Sequence, residues 1–258
     1  MRKKYGIIAC IMILTVWFNS ISVNAYTGTV ISAIDELERF DIVRNPREKW
    51  TQYDFITRRD AFKMPYIITV IGRSTPREFL FKPGERDDII RDHAFFDEAD
   101  YKYETTYFKD VEVGSDDDCF VLSLMFCGLM TGREENGEYY AALDEYMTYN
   151  EAFATIYRLL KDWTRPYYFP YQPPEGKTFF SIAEEIGLIN NNNSVYSAGL
   201  TVSEEQLNDP IPAYEYMYLL DSALYIPRGD GWENHYLVEY YVQATPREFD
   251  KSSEDIID

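Results

Sequence analysis

Apolar side chains recur at helical spacing in three separate stretches of this chain, and after a gap each is followed by a second such stretch. Val30, Ile34, Leu37 and Phe40 share one face of a helix expected over Val30–Val43. A second helix is expected after Thr57, in a run that continues through Phe62 to Ile68. The pair returns as an apolar helix over Phe120–Met130 and another from Met147 to Leu160. It returns again as Phe179–Ile189 and Tyr214–Leu224. Counting back from the ends of the first helices aligns Val43 with Met130 and Ile189, Phe40 with Cys127 and Ile186, and Ile34 with Val121 and Phe180. In the second helices Asp60, Glu151 and Glu215 align, and two residues on stand Phe62, Phe153 and Met217. A single apolar stripe usually means only a buried face. Its agreement in three copies, with an acid at one fixed place, reads as three degenerate helix–loop–helix repeats. The expected fold class is mainly α.

The aligned acid has a structural use. Thr148-x-x-Glu151 is a capping box, in which the threonine oxygen accepts from the backbone at the third helical position and the glutamate reaches back to the N–H of the cap. Thr57-x-x-Asp60 imitates it with a shorter arm, and such a cap stabilises by about 1 kcal/mol. Between the repeats the chain is looser. Residues 73–107, with Pro76, Pro83, Gly84 and dense mixed charge, read as an extended insertion. Residues 163–178 are a linker rich in proline and tyrosine, and Asn190–Asn193 form a loop. Residues 227–258 form a C-terminal extension; in it His235–Gln243 alternates apolar and polar side chains like a short strand, and Asp250–Asp258 is an acidic tail expected to be disordered.

Residues 1–25 are expected to be a cleavable signal peptide. Arg2, Lys3 and Lys4 precede an apolar run from Ile7 to Phe18, and a small-residue stretch ends at Ala25. The run is too short to cross a bilayer comfortably, so the chain is expected to be secreted, with no membrane insertion after cleavage. Ile7-Ile8-Ala9-Cys10 imitates a lipoprotein cleavage box, but the apolar run continues past Cys10. Cleavage removes three basic residues and no acid, taking the formal charge from −19 to −22. That balance argues against nucleic acid and anionic lipid, whose binding is driven by clustered cations. The aromatic fraction is 17%, with 23 tyrosines, a residue suited to half-exposed sites and sugar-facing grooves.

Cys119 and Cys127 remain, eight apart on a helix, which is about 12 Å of rise and too far for a disulfide. Free thiols in a secreted chain point to a bacterial source. The two histidines, His93 and His235, lie in unrelated contexts without metal-ligand spacing. No serine-hydrolase elbow, Cys–His signature or phosphate loop is present, so no catalytic role, cofactor or metal is expected. Asp116-Asp117-Asp118 lacks the alternating ligands of a calcium loop, and acids ahead of a helix N-terminus account for it.

The pattern resembles the S-layer homology (SLH) domains of bacterial surface proteins. Their repeat opens on Phe-x-Asp-Val, closes its first helix with Gly-Ile/Leu-Val/Ile-x-Gly, and starts its second with Ile/Leu-Thr-Arg-Ala-Glu. Here the middle copy has Phe108-Lys-Asp-Val111, Gly128-Leu-Met-Thr-Gly132 and Met147-Thr-Tyr-Asn-Glu151. The first has Ile56-Thr-Arg-Arg-Asp60, and the third keeps Gly187-Leu-Ile189 and Glu215. The resemblance covers Val30 to Leu224 and divides the chain into SLH-like repeats at 26–72, 108–162 and 179–226. It implies a pseudo-threefold helical unit whose grooves hold a cell-wall secondary polysaccharide, pyruvylated in that family, at the cell wall or cell surface. Arg58 is then the ligand contact, since a guanidinium fork pairs bidentately with a carboxylate. Thr57 and Asp60 shape the groove, and Tyr53 stacks on sugar. Tyr149 stands at the arginine position of the second copy, and Pro212-Ala213 replaces Thr-Arg in the third. Pro65 falls inside the second helix of the first copy, where a kink and a lost backbone bond are expected. The competing partner is another surface protein, bound by an SLH-like scaffold that has lost its glycan.

Overall fold

The computed structural model describes residues 30–71, 108–126, 128–161, 172–189 and 200–226. Across them the chain is mainly α, with one two-stranded sheet. The expected signal peptide at 1–25, the stretch 73–107, residues 227–258 with the strand expected there, Cys127 and most of 163–178 lie outside the described residues. In chain order the elements are α1 (30–39), α2 (Pro46–Lys49), α3 (Arg58–Ile71), α4 (Asp116–Phe126), β1 (Arg133–Glu135), β2 (Glu138–Tyr140), α5 (Tyr149–Leu160), α6 (Phe179–Glu185), a 3₁₀ turn (Glu204–Gln206) and α7 (Ala213–Leu224). Among the described residues no helix is long and apolar enough to cross a membrane.

Helices α1, α4 and α6 end in the same way. Asp41, Gly128 and Gly187 take left-handed φ values of 56°, 70° and 81°. The next amide, of Ile42, Leu129 or Leu188, then donates back to the carbonyl of Leu37, Leu124 or Ala183 at 3.0, 2.9 and 2.9 Å. This is a Schellman ending, with the residue after the reversal buried under the helix it closes. Glycine adopts the conformation without a Cβ clash. Asp41 does so at a cost of about 1 kcal/mol, offset in part by bonds from the Arg44 guanidinium, Nε at 3.0 Å. Helix α4 starts at Asp116, four residues before the apolar run that predicted it, because Ser115 caps it. The Ser115 hydroxyl accepts from the Asp118 amide at 3.1 Å, and the Asp118 carboxylate accepts from the Gly114 amide at 2.8 Å. The aspartate triplet is therefore a helix start.

Helix α5 is central, packing against α3, α6 and α7. Its capping box is present as the sequence predicted, with the Thr148 hydroxyl and the Glu151 side chain each satisfying the other's amide. Its apolar face carries Phe153 against Phe180, ring centroids 6.1 Å apart. Helix α3 runs through Pro65 without ending. The proline has no N–H to give the carbonyl of Ala61, and that carbonyl instead accepts from the Tyr216 hydroxyl of α7 at 2.7 Å. Tyr216 is fully buried. Tyr216→Phe should thus cost about 1–3 kcal/mol, the penalty of an unpaired buried acceptor. In a Pro65→Ala background, where the backbone regains its donor, the loss should shrink to well under half. Chemical unfolding of the two single variants and the double variant measures this; strict additivity would refute the pairing of Tyr216 with the proline gap.

Where α1 meets the end of α7, Asp221 has a buried carboxylate oxygen with no hydrogen-bond partner. Burial, and then the nearby Glu36 carboxylate, push its pKa from 3.8 up to about 7, opposed by Arg39. Glu36 is itself bonded by Arg39 at 2.7 Å and by the Tyr225 hydroxyl. A raised carboxyl pKa means that stability is fully present below 3.8 and is lost as pH rises through about 7. Asp221→Asn should accordingly stabilise the protein at pH 8 by about 1–2 kcal/mol, after discounting for its partial exposure to solvent. At pH 4 it should change little. Melting curves at the two pH values check this, and an equal effect at both would exclude the titration of Asp221 as the cause.

Candidate functional site

Just before α3, α5 and α7, three short extended segments meet and bond in a closed cycle. The Ile56 amide donates to the carbonyl of Ile211 at 3.2 Å, Ile211 donates to Met147 at 2.9 Å, and Met147 donates back to Ile56 at 3.0 Å. A second set runs the opposite way round, from donors two residues on to acceptors two residues back: Arg58 to Glu145 at 2.7 Å, Tyr149 to Asp209 at 3.2 Å, and Ala213 to Asp54 at 2.8 Å. The turns leading in also match, since the amides of Asp54, Glu145 and Asp209 bond to the carbonyls of Thr51, Ala142 and Gln206. Extended backbone alternates its side chains. Ile56, Met147 and Ile211 accordingly point inward and are completely buried, while Phe55 and Tyr146 stay exposed.

The first residue after each segment faces its neighbour. Arg58, 2% exposed, lies across the seam between the first and second helix pairs. Its Nε donates to the carbonyl of Ala141 at 3.1 Å, and its Nη1 to Glu151. Its guanidinium lies 5.2 Å from the centre of the Phe62 ring. Arg133 grips the same carboxylate from the other side, with Nε at 2.8 Å and Nη2 at 3.0 Å, and also bonds Glu145 and the carbonyl of Tyr146. The Thr148 amide adds a further bond to Glu151 at 3.0 Å. Burial would raise the Glu151 pKa, but Arg133, Arg58 and the Thr148 amide together outweigh it and hold the carboxyl below its ordinary 4.5. For Arg58, burial pulls the pKa down, and the Glu151 charge opposes it. At the corresponding place on the next seam, the Tyr149 hydroxyl donates to Glu215. On the third seam the position is Ala213, and Asp60 is bonded by Lys49 at 2.7 Å and by its own cap, Thr57, at 3.1 Å.

The five residues named from the resemblance are found in different states. Arg58 and Tyr149 are buried and engaged with the acid of the following helix pair. Thr57 and Asp60 are partly exposed and form the α3 cap, and Tyr53 is 78% exposed. Phe108-Lys-Asp-Val111 supports this arrangement from beneath. Phe108 is buried, and the Asp110 carboxylate accepts from the amides of Ala141 and Ala142 at 2.7 and 2.6 Å, fixing the carbonyl that Arg58 binds. Arg59 ties α3 to α4 through Asp117, and to the loop ahead of α5 through Asp144.

Sequence reasoning missed Arg133. Its signal was present in Asn136-Gly137, the dipeptide of a tight hairpin turn, with φ values of 55° and 80°. That hairpin pairs Arg133 with Tyr140 and delivers the guanidinium to Glu151. Phe55 and Tyr146 were missed as well, because nothing local to either residue places their rings 5.6 Å apart. Among the described residues no group of three or more histidine, cysteine or acidic side chains is placed to hold a metal ion. The comparisons with known proteins add no relative: no protein-family model, no curated protein and no solved structure matches this chain.

Proposed function

We propose that the chain is a noncatalytic, secreted cell-envelope protein built from three SLH-like repeats in a pseudo-threefold unit, associating with a cell-wall polysaccharide at a seam between repeats. The observation that supports this reading most is the closed cycle of backbone bonds among Ile56, Met147 and Ile211. It joins equivalent positions of the three motifs by equivalent bonds, which unrelated helix pairs have no reason to do. The common helix ending at Asp41, Gly128 and Gly187, and the pair Arg58–Glu151 echoed by Tyr149–Glu215, fit the same register.

Association is tested by co-sedimenting the exported protein with Gram-positive cell walls, before and after acid stripping of the secondary polymer. Binding lost on stripping, and weakened by Tyr53→Ala, is the expected result. Absence of binding to intact walls would reject the function and leave the repeat reading standing. A second reading, a scaffold that contacts another surface protein, is favoured by the burial of Arg58: its Nε and one terminal nitrogen are committed to Ala141 and Glu151.

A further inference from the structure

The outer face of the bonded cycle carries a pattern that wall association does not explain. Phe55, Tyr146 and Pro210 occupy the same position in the three segments, each immediately before a fully buried residue. Phe55 is 43% and Tyr146 52% exposed, with tilted rings 5.6 Å apart, and Tyr53 stands two residues from Phe55. Six large apolar side chains are exposed among the described residues, and these three are half of them, in or next to one structural feature. Each member is also preceded by an exposed acid: Asp54, Glu145 and Asp209. Asp144, whose side chain is 88% exposed, is already paired with Arg59 at 3.1 Å. Arg133, which bonds Glu145, is shared with Glu151 and the Tyr146 carbonyl.

We infer that this face is a docking surface for an extended segment of a partner protein bearing lysine and arginine side chains. An aromatic centre inside a carboxylate rim suits a cation on both counts. Ammonium and guanidinium groups are attracted to ring faces, and the rim complements their charge. The same rim repels an anionic glycan, so the Phe55–Tyr146 pair is assigned to the cationic segment, while Tyr53, at its edge, is left to the polysaccharide seam. The chain's formal charge of −19 steers cationic partners toward it at long range. The inference does not rest on the wall-binding function.

Fluorescence anisotropy with the full exported protein tests it, using a labelled peptide of alternating arginine and glycine and a control with glutamate for arginine. The arginine peptide should bind at physiological salt and the control should not. Phe55→Ser combined with Tyr146→Ser leaves the net charge unchanged and should weaken binding about tenfold or more. Asp209→Asn should weaken it about two- to fivefold. Both variants alter exposed side chains, and a melting temperature like that of the parent would show the fold intact. Failure of the arginine peptide to bind overturns the proposal. So does binding that survives the aromatic double variant, since that would reduce the attraction to diffuse charge. If the double variant instead abolished self-association or wall sedimentation and left peptide binding untouched, the face would belong to a second copy or to the glycan, and the inference would fall.

Discussion

Glu151→Ala should be among the most destabilising substitutions of a partly exposed side chain in this protein, costing about 3–5 kcal/mol in chemical unfolding. One carboxylate here satisfies two guanidiniums and a backbone amide, and its removal leaves the Arg58 charge buried with the Ala141 carbonyl and the Phe62 ring as its neighbours. Two cations then face each other across the site, since Arg58 and Arg133 are both bonded to the lost group. Arg58→Met should cost less, about 1–3 kcal/mol, because Glu151 keeps Arg133 and the Thr148 amide. The order of the two effects is the informative result: Arg58→Met as costly as Glu151→Ala would mean that Arg133 contributes little. The loss from Glu151→Ala should also depend on pH. A carboxyl held below its ordinary 4.5 contributes stability above that value and loses it as pH falls through the lowered one, so parent and variant should converge in acid.

Gly132→Ala should cost about 3 kcal/mol, well beyond the usual price of a left-handed alanine. At φ 74° the new Cβ would collide with the Phe108 ring and lie 2.9 Å from the carbonyl oxygen of Tyr140. Neither neighbour yields easily: Phe108 is 1% exposed, and Tyr140 is paired in the hairpin. Relief requires the hairpin to shift, and Arg133 is the next residue, so the strain is passed to the Glu151 cluster. Gly137→Ala is the matched control. Its φ is 80° but no atom lies within 4 Å of the added Cβ, so only the conformational cost of about 1 kcal/mol should remain. Equal losses at the two glycines would reject the steric account.

The features legible in sequence were those that depend on near neighbours. The α5 capping box needs only Thr148 and Glu151, and it formed as read. The reversals at Gly128 and Gly187 follow from glycine's freedom at positive φ; their counterpart in α1, Asp41, is not glycine and was seen only in the structure. Pro65 was read as a lost backbone bond. What the sequence concealed was the repair, because Tyr216 lies 151 residues further along the chain and nothing near it marks a hydroxyl destined for the Ala61 carbonyl. The α4 start was misplaced for a related reason: the apolar run begins after the polar residues that cap it.

Arg58 shows the same limit at the candidate site. By itself, a Thr-Arg-x-Asp motif offers a guanidinium to whatever lies nearby, and the resemblance supplied a carboxylate on a glycan. In the folded chain the nearest carboxylate is Glu151, from the following helix pair, with Arg133 completing the cluster. By itself the sequence determined where the six main helices lie, the α5 cap and the glycine reversals, and that an acid recurs at one place in each pair, because propensity, capping and periodicity act over a few residues. Only the tertiary structure decided which cation meets which acid, which carbonyl Tyr216 rescues, and which rings are left facing water. Most of those outcomes depend on segments about 60 to 160 residues apart being brought into contact, Arg133 and Glu151 at 18 apart being the near pair, and burial makes a buried pairing hard to leave unmade.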